Sequence, residues 1–140
     1  MRYIHDGYNY VLTFQRGERL IETLTDFVKE KDINASWISG LGGAQWAELG
    51  FYDFDAREYL WKRFDQPLEI TALQGNIGWK DNEPALHVHG SFAGSNYASV
   101  GGHIKELEVS VTCELHLHTI FDHRLTRSFD KVTGANLLDL

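Results

Sequence analysis

The sequence predicts an α+β domain built on a strongly curved, mostly antiparallel sheet of about seven strands, with one main amphipathic helix. Two observations lead to this fold class. Strand-like segments recur along the chain, whereas apolar residues show clear helical spacing only once. The segments between predicted strands are also too short for the crossover helices of a parallel sheet. The length of 140 residues predicts a single domain over 1–140, with its core at about 8–120.

The first predicted elements are a strand at residues 8–14 and the main helix at about 18–31. Aromatic and β-branched residues favour the strand. In the helix, Leu20, Leu24 and Phe27 recur at helical spacing, and the opposite face carries charged residues. We therefore expect this helix to lie on the sheet without a role in ligand binding.

Further strands are predicted along the rest of the chain, separated by glycine-rich or polar turns. Their ranges are 35–43, 46–54, 58–64, 68–79, 85–92 and 107–119. In the last range, apolar side chains from Val109 to Leu117 alternate with polar ones, which is typical of a strand with one buried face. The tail at about 130–140 has little pattern, and we expect it to be mobile.

Composition and charge exclude several classes of protein. The single cysteine, Cys113, excludes an internal disulfide framework and a cysteine-based zinc finger, and it predicts a reducing compartment, the cytoplasm. A net charge of −7 argues against a general nucleic-acid-binding protein. No apolar run reaches the roughly 20 residues of a membrane helix, and the first residues do not have the pattern of a signal peptide. We therefore expect neither a membrane nor a nucleic acid as partner.

Three of the seven histidines form a candidate metal site. His87 and His89 are two residues apart in a predicted strand, so both side chains point to one face. His103 follows Gly101 and Gly102, whose conformational freedom would let a turn bring the histidine back over that strand. Three neutral imidazoles with an open fourth position are the ligands of catalytic zinc, and imidazole also binds other divalent transition metals. The alternative is that these are polar side chains satisfied by hydrogen bonds.

A second histidine pair, His116 and His118, lies with Glu114 on the polar face of the last predicted strand. Three interpretations of this face remain open: it is solvated, it lines a subunit interface, or it joins the metal site. Glu114 is the candidate catalytic residue, because a carboxylate near a metal can orient a histidine or act as a general base. Glu48 is a second candidate for proton transfer. Cys113 lies on the apolar face, which indicates a buried, inert thiol.

Three short motifs occur in a fixed order along the chain. They are His-x-His-x-Ser within residues 84–91, Gly-Gly-His at 101–103, and Thr-x-Glu at 112–114. Together they resemble the plants-and-prokaryotes-conserved (PPC) domain, and the likeness extends over about residues 8–120. The resemblance implies an α+β fold, assembly as a homotrimer, and His87, His89 and His103 as metal ligands.

The same resemblance implies three candidate functions. Prokaryotic members that stand alone resemble small metal-binding proteins, which implies a trimeric metal-binding protein of undefined activity. The fold and the three-histidine site are more distantly similar to acetolactate decarboxylase, which implies a zinc-dependent lyase or hydrolase acting on a small carbonyl or ester substrate. Plant members carry Arg-Gly-Arg-Pro segments that enter DNA, which implies a DNA-binding or transcription-related protein, although this sequence has no such segment.

Overall fold

The computed structural model describes residues 1–140 and contains one helix and nine strands, which pair in one sheet. The helix, α1, spans Leu20–Lys31. The strands are β1 (Arg2–His5), β2 (Asn9–Gln15), β3 (Ser36–Asp53), β4 (Glu58–Phe64), β5 (Leu68–Lys80), β6 (Glu83–Ala93), β7 (Ser99–Thr119), β8 (Thr126–Phe129) and β9 (Asn136–Asp139). Every strand pair is antiparallel except β5–β8. The predicted fold class is therefore confirmed, with nine strands where about seven were expected.

The curvature of the sheet comes from four strands whose pairings close on themselves. β3 pairs with β5, β5 with β6, β6 with β7, and β7 again with β3. The segments 35–43 and 46–54, predicted as two strands, form the single strand β3, because β-bulges near Gly42 and Ala44 carry the pairing through the glycine-rich stretch. Bulges bend a strand and increase its twist, which suits closure of the ring.

The hydrophobic core is formed by buried side chains of α1 and of β2, β3, β5, β6 and β7. Leu20, Leu24 and Phe27 of the helix are buried, as their spacing predicts. The predicted buried face of β7 is correct except at Val111, which is 78% exposed. Val111 lies where the register between β3 and β7 shifts, between Ala44 opposite Val109 and Gly42 opposite Cys113, and the extra residues of β7 leave this side chain outside the core.

The first turn of α1 is capped by a side chain from a distant strand. Arg19, at the N-cap position, makes no side-chain cap hydrogen bond. Instead, the Ile21 and Glu22 N–H groups donate to the two carboxylate oxygens of Glu106 on β7, at 2.8 and 3.0 Å. Backbone N–H groups at the start of a helix otherwise lack partners, so Glu106 both stabilises the helix and attaches it to the sheet.

The last residues form a hairpin of β8 and β9 that the sequence pattern does not predict. β8 contacts the sheet where Thr126 lies opposite Trp79 on β5. The hairpin turn is held by Asp130, whose carboxylate accepts hydrogen bonds from the N–H and the hydroxyl of Thr133. The mobility expected of residues 130–140 stays a prediction. No helix here combines the length and apolar character that crossing a membrane requires.

Candidate metal centre

The three histidines of the candidate site come from two neighbouring strands. His87 and His89 lie on β6, and His89 is directly opposite His103 on β7. One ring nitrogen of each histidine lies within 4.8 Å of a ring nitrogen of the other two. The Nε2 atoms of His87 and His89 are 3.1 Å apart. The structure therefore brings together all three residues that the sequence analysis proposed as ligands.

The glycines before His103 act through their small size, and the turn expected at this point is absent. Gly101 and Gly102 belong to the extended strand β7, and neither has a positive φ. A Cβ atom at Gly101 would lie 2.8 Å from the carbonyl oxygen of Gly90, and one at Gly102 would lie 2.7 Å from that of Gly50. Close packing against β6 and β3, rather than a turn, places His103 beside the other two histidines.

The surroundings of the triad favour its neutral form. Burial lowers the pKa of His87 and His89, and burial together with the other two histidines lowers the pKa of His103 to about 4. Neutral imidazole is the form that binds metals. The Nδ1 atom of His103 is buried without a hydrogen-bond partner. Such atoms are rare in folded proteins, so this orphaned nitrogen and the all-imidazole donor set fit a divalent transition metal.

An aromatic wall from β4 covers one side of the triad. The ring of Tyr59 lies 4.9 Å from that of His103, and Trp61 lies 6.0 Å from it, measured between ring centroids. Tyr59 and Trp61 stack on each other at 4.8 Å. This wall limits the directions from which water or a ligand can approach His103.

A cavity of about 630 Å³ opens beside the triad. His87 and His103 line it, together with Tyr59 of β4, Asn76 of β5 and Arg127 of β8. The β8–β9 hairpin thus forms one wall of the cavity, and the strands of the closed ring form another. A small molecule in this space would contact both the histidines and Arg127.

The carboxylates considered as proton carriers lie elsewhere. Glu114, on β7, is opposite Thr13 and Leu41, and it neither lines the cavity nor belongs to the histidine cluster. Within one chain, a catalytic role for Glu114 at this triad is therefore not supported. Glu48 accepts a hydrogen bond from Lys105 at 2.9 Å and does not line the cavity.

The second histidine pair does not join the metal site within one chain. His116 and His118 lie beside Glu114 on β7 and are not part of the histidine cluster. A ring nitrogen of each contacts Asn9 Oδ1, at 2.9 and 3.0 Å. Of the three interpretations offered for this polar face, a solvated surface and a subunit interface remain.

The residues that sequence reasoning missed are Tyr59, Asn76 and Arg127. Each lies in a segment without a chemical motif, and they meet only because β4, β5 and β8 converge on the triad. The aromatic composition of segment 58–64 was the one available signal, and it predicted a strand without a role in the site.

Comparison with known proteins identifies relatives of this chain. Residues 1–121 match the model of the Plants and Prokaryotes Conserved (PCC) domain. A solved structure from Archaeoglobus fulgidus, described as a metal-containing protein, is 32% identical, with 100% of this chain and 99% of that chain covered and a TM-score of 0.89. A plant- and prokaryote-conserved protein from Pyrococcus horikoshii is 28% identical, with 96% and 93% covered and a TM-score of 0.88.

Two further solved structures are similar to this chain at lower sequence identity. A protein from Bacteroides thetaiotaomicron, described as a candidate DNA-binding protein, is 26% identical, with 99% of this chain and 96% of that chain covered and a TM-score of 0.93. Alpha-acetolactate decarboxylase from Bacillus subtilis is 11% identical, with 93% and 60% covered and a TM-score of 0.59, which shows a shared fold alone. Comparison with curated proteins found no match.

Proposed function

Because the chain belongs to the Plants and Prokaryotes Conserved domain family, we propose that it is a small metal-binding protein that holds a divalent transition metal, zinc first among them, through His87, His89 and His103. The observation that carries this proposal is the convergence of three imidazole nitrogens within 4.8 Å. The Archaeoglobus fulgidus relative described as metal-containing supports it. A cytoplasmic location is part of the proposal, since the lone cysteine suits a reducing compartment.

The chain itself supplies a rigid and neutral donor set for the metal. Two paired strands fix the three ring positions, and burial lowers the pKa values of the imidazoles, which favours their neutral form. Tyr59 and Trp61 limit the solvent around His103, while the cavity leaves access from the side of Arg127. When bound, zinc would act as a Lewis acid on a carbonyl or lower the pKa of a bound water to about 7.

Elemental analysis of untagged protein tests the metal site. We expect about one equivalent of metal per chain in the wild type and none in a His87→Ala/His89→Ala/His103→Ala variant. A His116→Ala/His118→Ala variant is the matched control, because it removes another His-x-His pair and should keep its metal. Absence of metal in the wild type after incubation with zinc at neutral pH would contradict the proposal, as would equal binding by the triple variant.

Assembly as a homotrimer is the second part of the proposal. The β3–β4 hairpin exposes large apolar side chains, including Phe51, Phe54 and Leu60, whose exposed fractions are 68%, 73% and 51%. β4 pairs only with β3, so its other edge is free. Apolar patches and free edges of this kind are commonly covered by a partner. Light scattering after size exclusion should return three times the chain mass of 16.0 kDa, and a monomer would refute this part.

A zinc-dependent lyase or hydrolase acting on a small carbonyl or ester substrate is the second candidate function. The observation that favours it is the cavity of about 630 Å³ beside the triad, which is large enough for a small molecule. Glu114 does not line this cavity within one chain. Turnover of p-nitrophenyl acetate by the zinc-loaded wild type, abolished by His89→Ala, would support this candidate over simple metal binding.

DNA binding is the weakest candidate, although the Bacteroides thetaiotaomicron relative is described in those terms. The net charge of −7 opposes approach to a phosphate backbone. Exposed basic residues are also paired with acids, as for Arg63 with Asp65 and Lys29 with Glu83. Salt-dependent binding of the protein to a DNA duplex would be the result that supports this candidate function.

A further inference from the structure

One residue in the cavity beside the triad has no counter-ion. Arg127 is partly buried, and its guanidinium donates to the side-chain oxygen of Asn76 and to the backbone oxygen of Asn136, the latter at 3.2 Å. Its Nε atom is buried without a hydrogen-bond partner. No carboxylate lies within ion-pair distance of Arg127. An arginine placed in this way is held in position by neutral groups while its charge stays uncompensated.

The other charged groups that line the cavity differ from Arg127. Lys80 pairs with Asp81 at 3.3 Å. Arg57 donates a hydrogen bond to the backbone oxygen of Lys131. The hydrogen bonds from Thr133 lower the pKa of Asp130 the most, and the charge of Arg57 makes a smaller contribution in the same direction. Glu58 is the one acidic side chain in the lining. The cavity therefore has a cationic character within a chain of net charge −7. Neither Arg57 nor Arg127 forms an ion pair, and Arg127 is the one with a buried guanidinium nitrogen that lacks a hydrogen-bond partner.

The position of Arg127 connects it to the histidines. It lines the same cavity as His87 and His103. Arg127 also donates a hydrogen bond to the side chain of Asn76, which is directly opposite His87 in the pairing of β5 with β6. Arg127 lies beyond residue 121, where the family match ends, so the match itself says nothing about this residue.

We propose that the cavity is a binding site for a small organic carboxylate, whose anionic end pairs with Arg127 while the rest of the molecule faces His87 and His103. An arginine fork matches the planar carboxylate group. The orientation toward the histidines rests on the proposed metal site, and the pairing with Arg127 does not.

Titration of zinc-treated, full-length protein with pyruvate, followed by chemical-shift changes in ¹⁵N-labelled chain, tests this inference. We expect pyruvate to bind the wild type and to bind Arg127→Gln at least about 10-fold more weakly, the effect of losing one charge-assisted hydrogen bond. Arg127→Lys keeps the positive charge, so its affinity for pyruvate should lie between those of the wild type and Arg127→Gln. Arg124→Gln is the matched control, since Arg124 lies on the same segment, outside the cavity, and pairs with Asp32.

Pyruvamide, which has the same shape without the charge, should bind the wild type as weakly as pyruvate binds Arg127→Gln. Equal pyruvate affinity of wild type and Arg127→Gln would overturn the proposal, as would absence of pyruvate binding to the wild type. Tighter binding of inorganic phosphate than of pyruvate would overturn the assignment to a carboxylate. The spectra report directly whether each variant is folded.

Zinc content measured on the same samples separates this proposal from the metal site. Wild-type protein without zinc would refute the metal site. Zinc-loaded protein whose pyruvate response does not depend on Arg127 would refute only the carboxylate site. Loss of the pyruvate response in Arg127→Gln at unchanged zinc content is the result that supports the proposal.

Discussion

Replacement of Gly102 by alanine tests whether the close approach of β3 and β7 holds the histidine triad in place. A Cβ atom at this position would lie 2.7 Å from the carbonyl oxygen of Gly50, whereas ordinary van der Waals contacts begin at 3.4 Å. The contacted atom belongs to the backbone of a paired strand, so no side-chain rotation can relieve the overlap. Gly50 is directly opposite His103, so the strands must separate at the position of a proposed ligand.

The expected size of the effect follows from two opposing contributions. Overpacking of this kind destabilises the folded state by about 1–3 kcal/mol. The lower conformational entropy of the unfolded alanine variant offsets about 0.4–1 kcal/mol of that loss. We therefore expect Gly102→Ala to lower the free energy of unfolding by about 1–2 kcal/mol, measured by urea titration of metal-free protein. The variant should also lose zinc more readily to a chromophoric chelator.

Gly94→Ala is the matched control for this experiment. A Cβ atom at Gly94 would meet side-chain atoms at 3.4 and 3.5 Å, so it needs little adjustment. Its free energy of unfolding should stay within about 0.5 kcal/mol of the wild type. If Gly102→Ala were as stable as Gly94→Ala and held zinc as tightly as the wild type, the reasoning from strand approach would be refuted.

Two further predictions concern other parts of the fold. Burial, with a smaller contribution from the charge of Glu114, raises the pKa of the Cys113 thiol from 9.0 to about 12. The folded chain therefore keeps a proton that the unfolded chain loses above pH 9. Because of this group, the free energy of unfolding falls as pH rises from 9 toward 12. Iodoacetamide at pH 8 should therefore label Cys113 in urea and not in buffer, and rapid labelling of the native protein would contradict its burial. Glu106→Ala removes both acceptors at the start of α1 and should lower the free energy of unfolding by about 1–2 kcal/mol. Glu69→Ala, at an exposed strand position, is the control, and an equal effect of both changes would show that the cap contributes nothing.

Much of the fold could be predicted because local pattern and burial agree. The spacing of Leu20, Leu24 and Phe27 identified the helix, and alternation identified most of the buried face of β7. The prediction failed where the pairing between strands, rather than the local sequence pattern, decides the structure. β3 continues through its glycines because it pairs with strands on both sides, and Val111 is exposed because of a register shift that only the partner strand reveals.

The candidate site was predictable in part for a similar reason. His87 and His89 share a strand face by spacing alone, and the Gly-Gly before His103 indicated that the backbone could bring this histidine beside them. The interpretation of those glycines as a turn was wrong because size, not backbone angle, is what the packing requires. Arg127 could not be identified from the sequence, because the pattern of a short polar hairpin does not indicate which part of the sheet the hairpin will pack against.

The late position of β7 in the chain governs the order in which this protein can fold. β7 pairs with β2, β3 and β6, and its Glu106 caps α1, yet it ends at Thr119 of 140 residues. During synthesis, the earlier strands therefore keep unpaired edges until most of the chain has left the ribosome. Contacts between segments distant in sequence slow folding, and such edges promote aggregation. His103 lies on the same strand, so the three proposed ligands come together only after this late pairing.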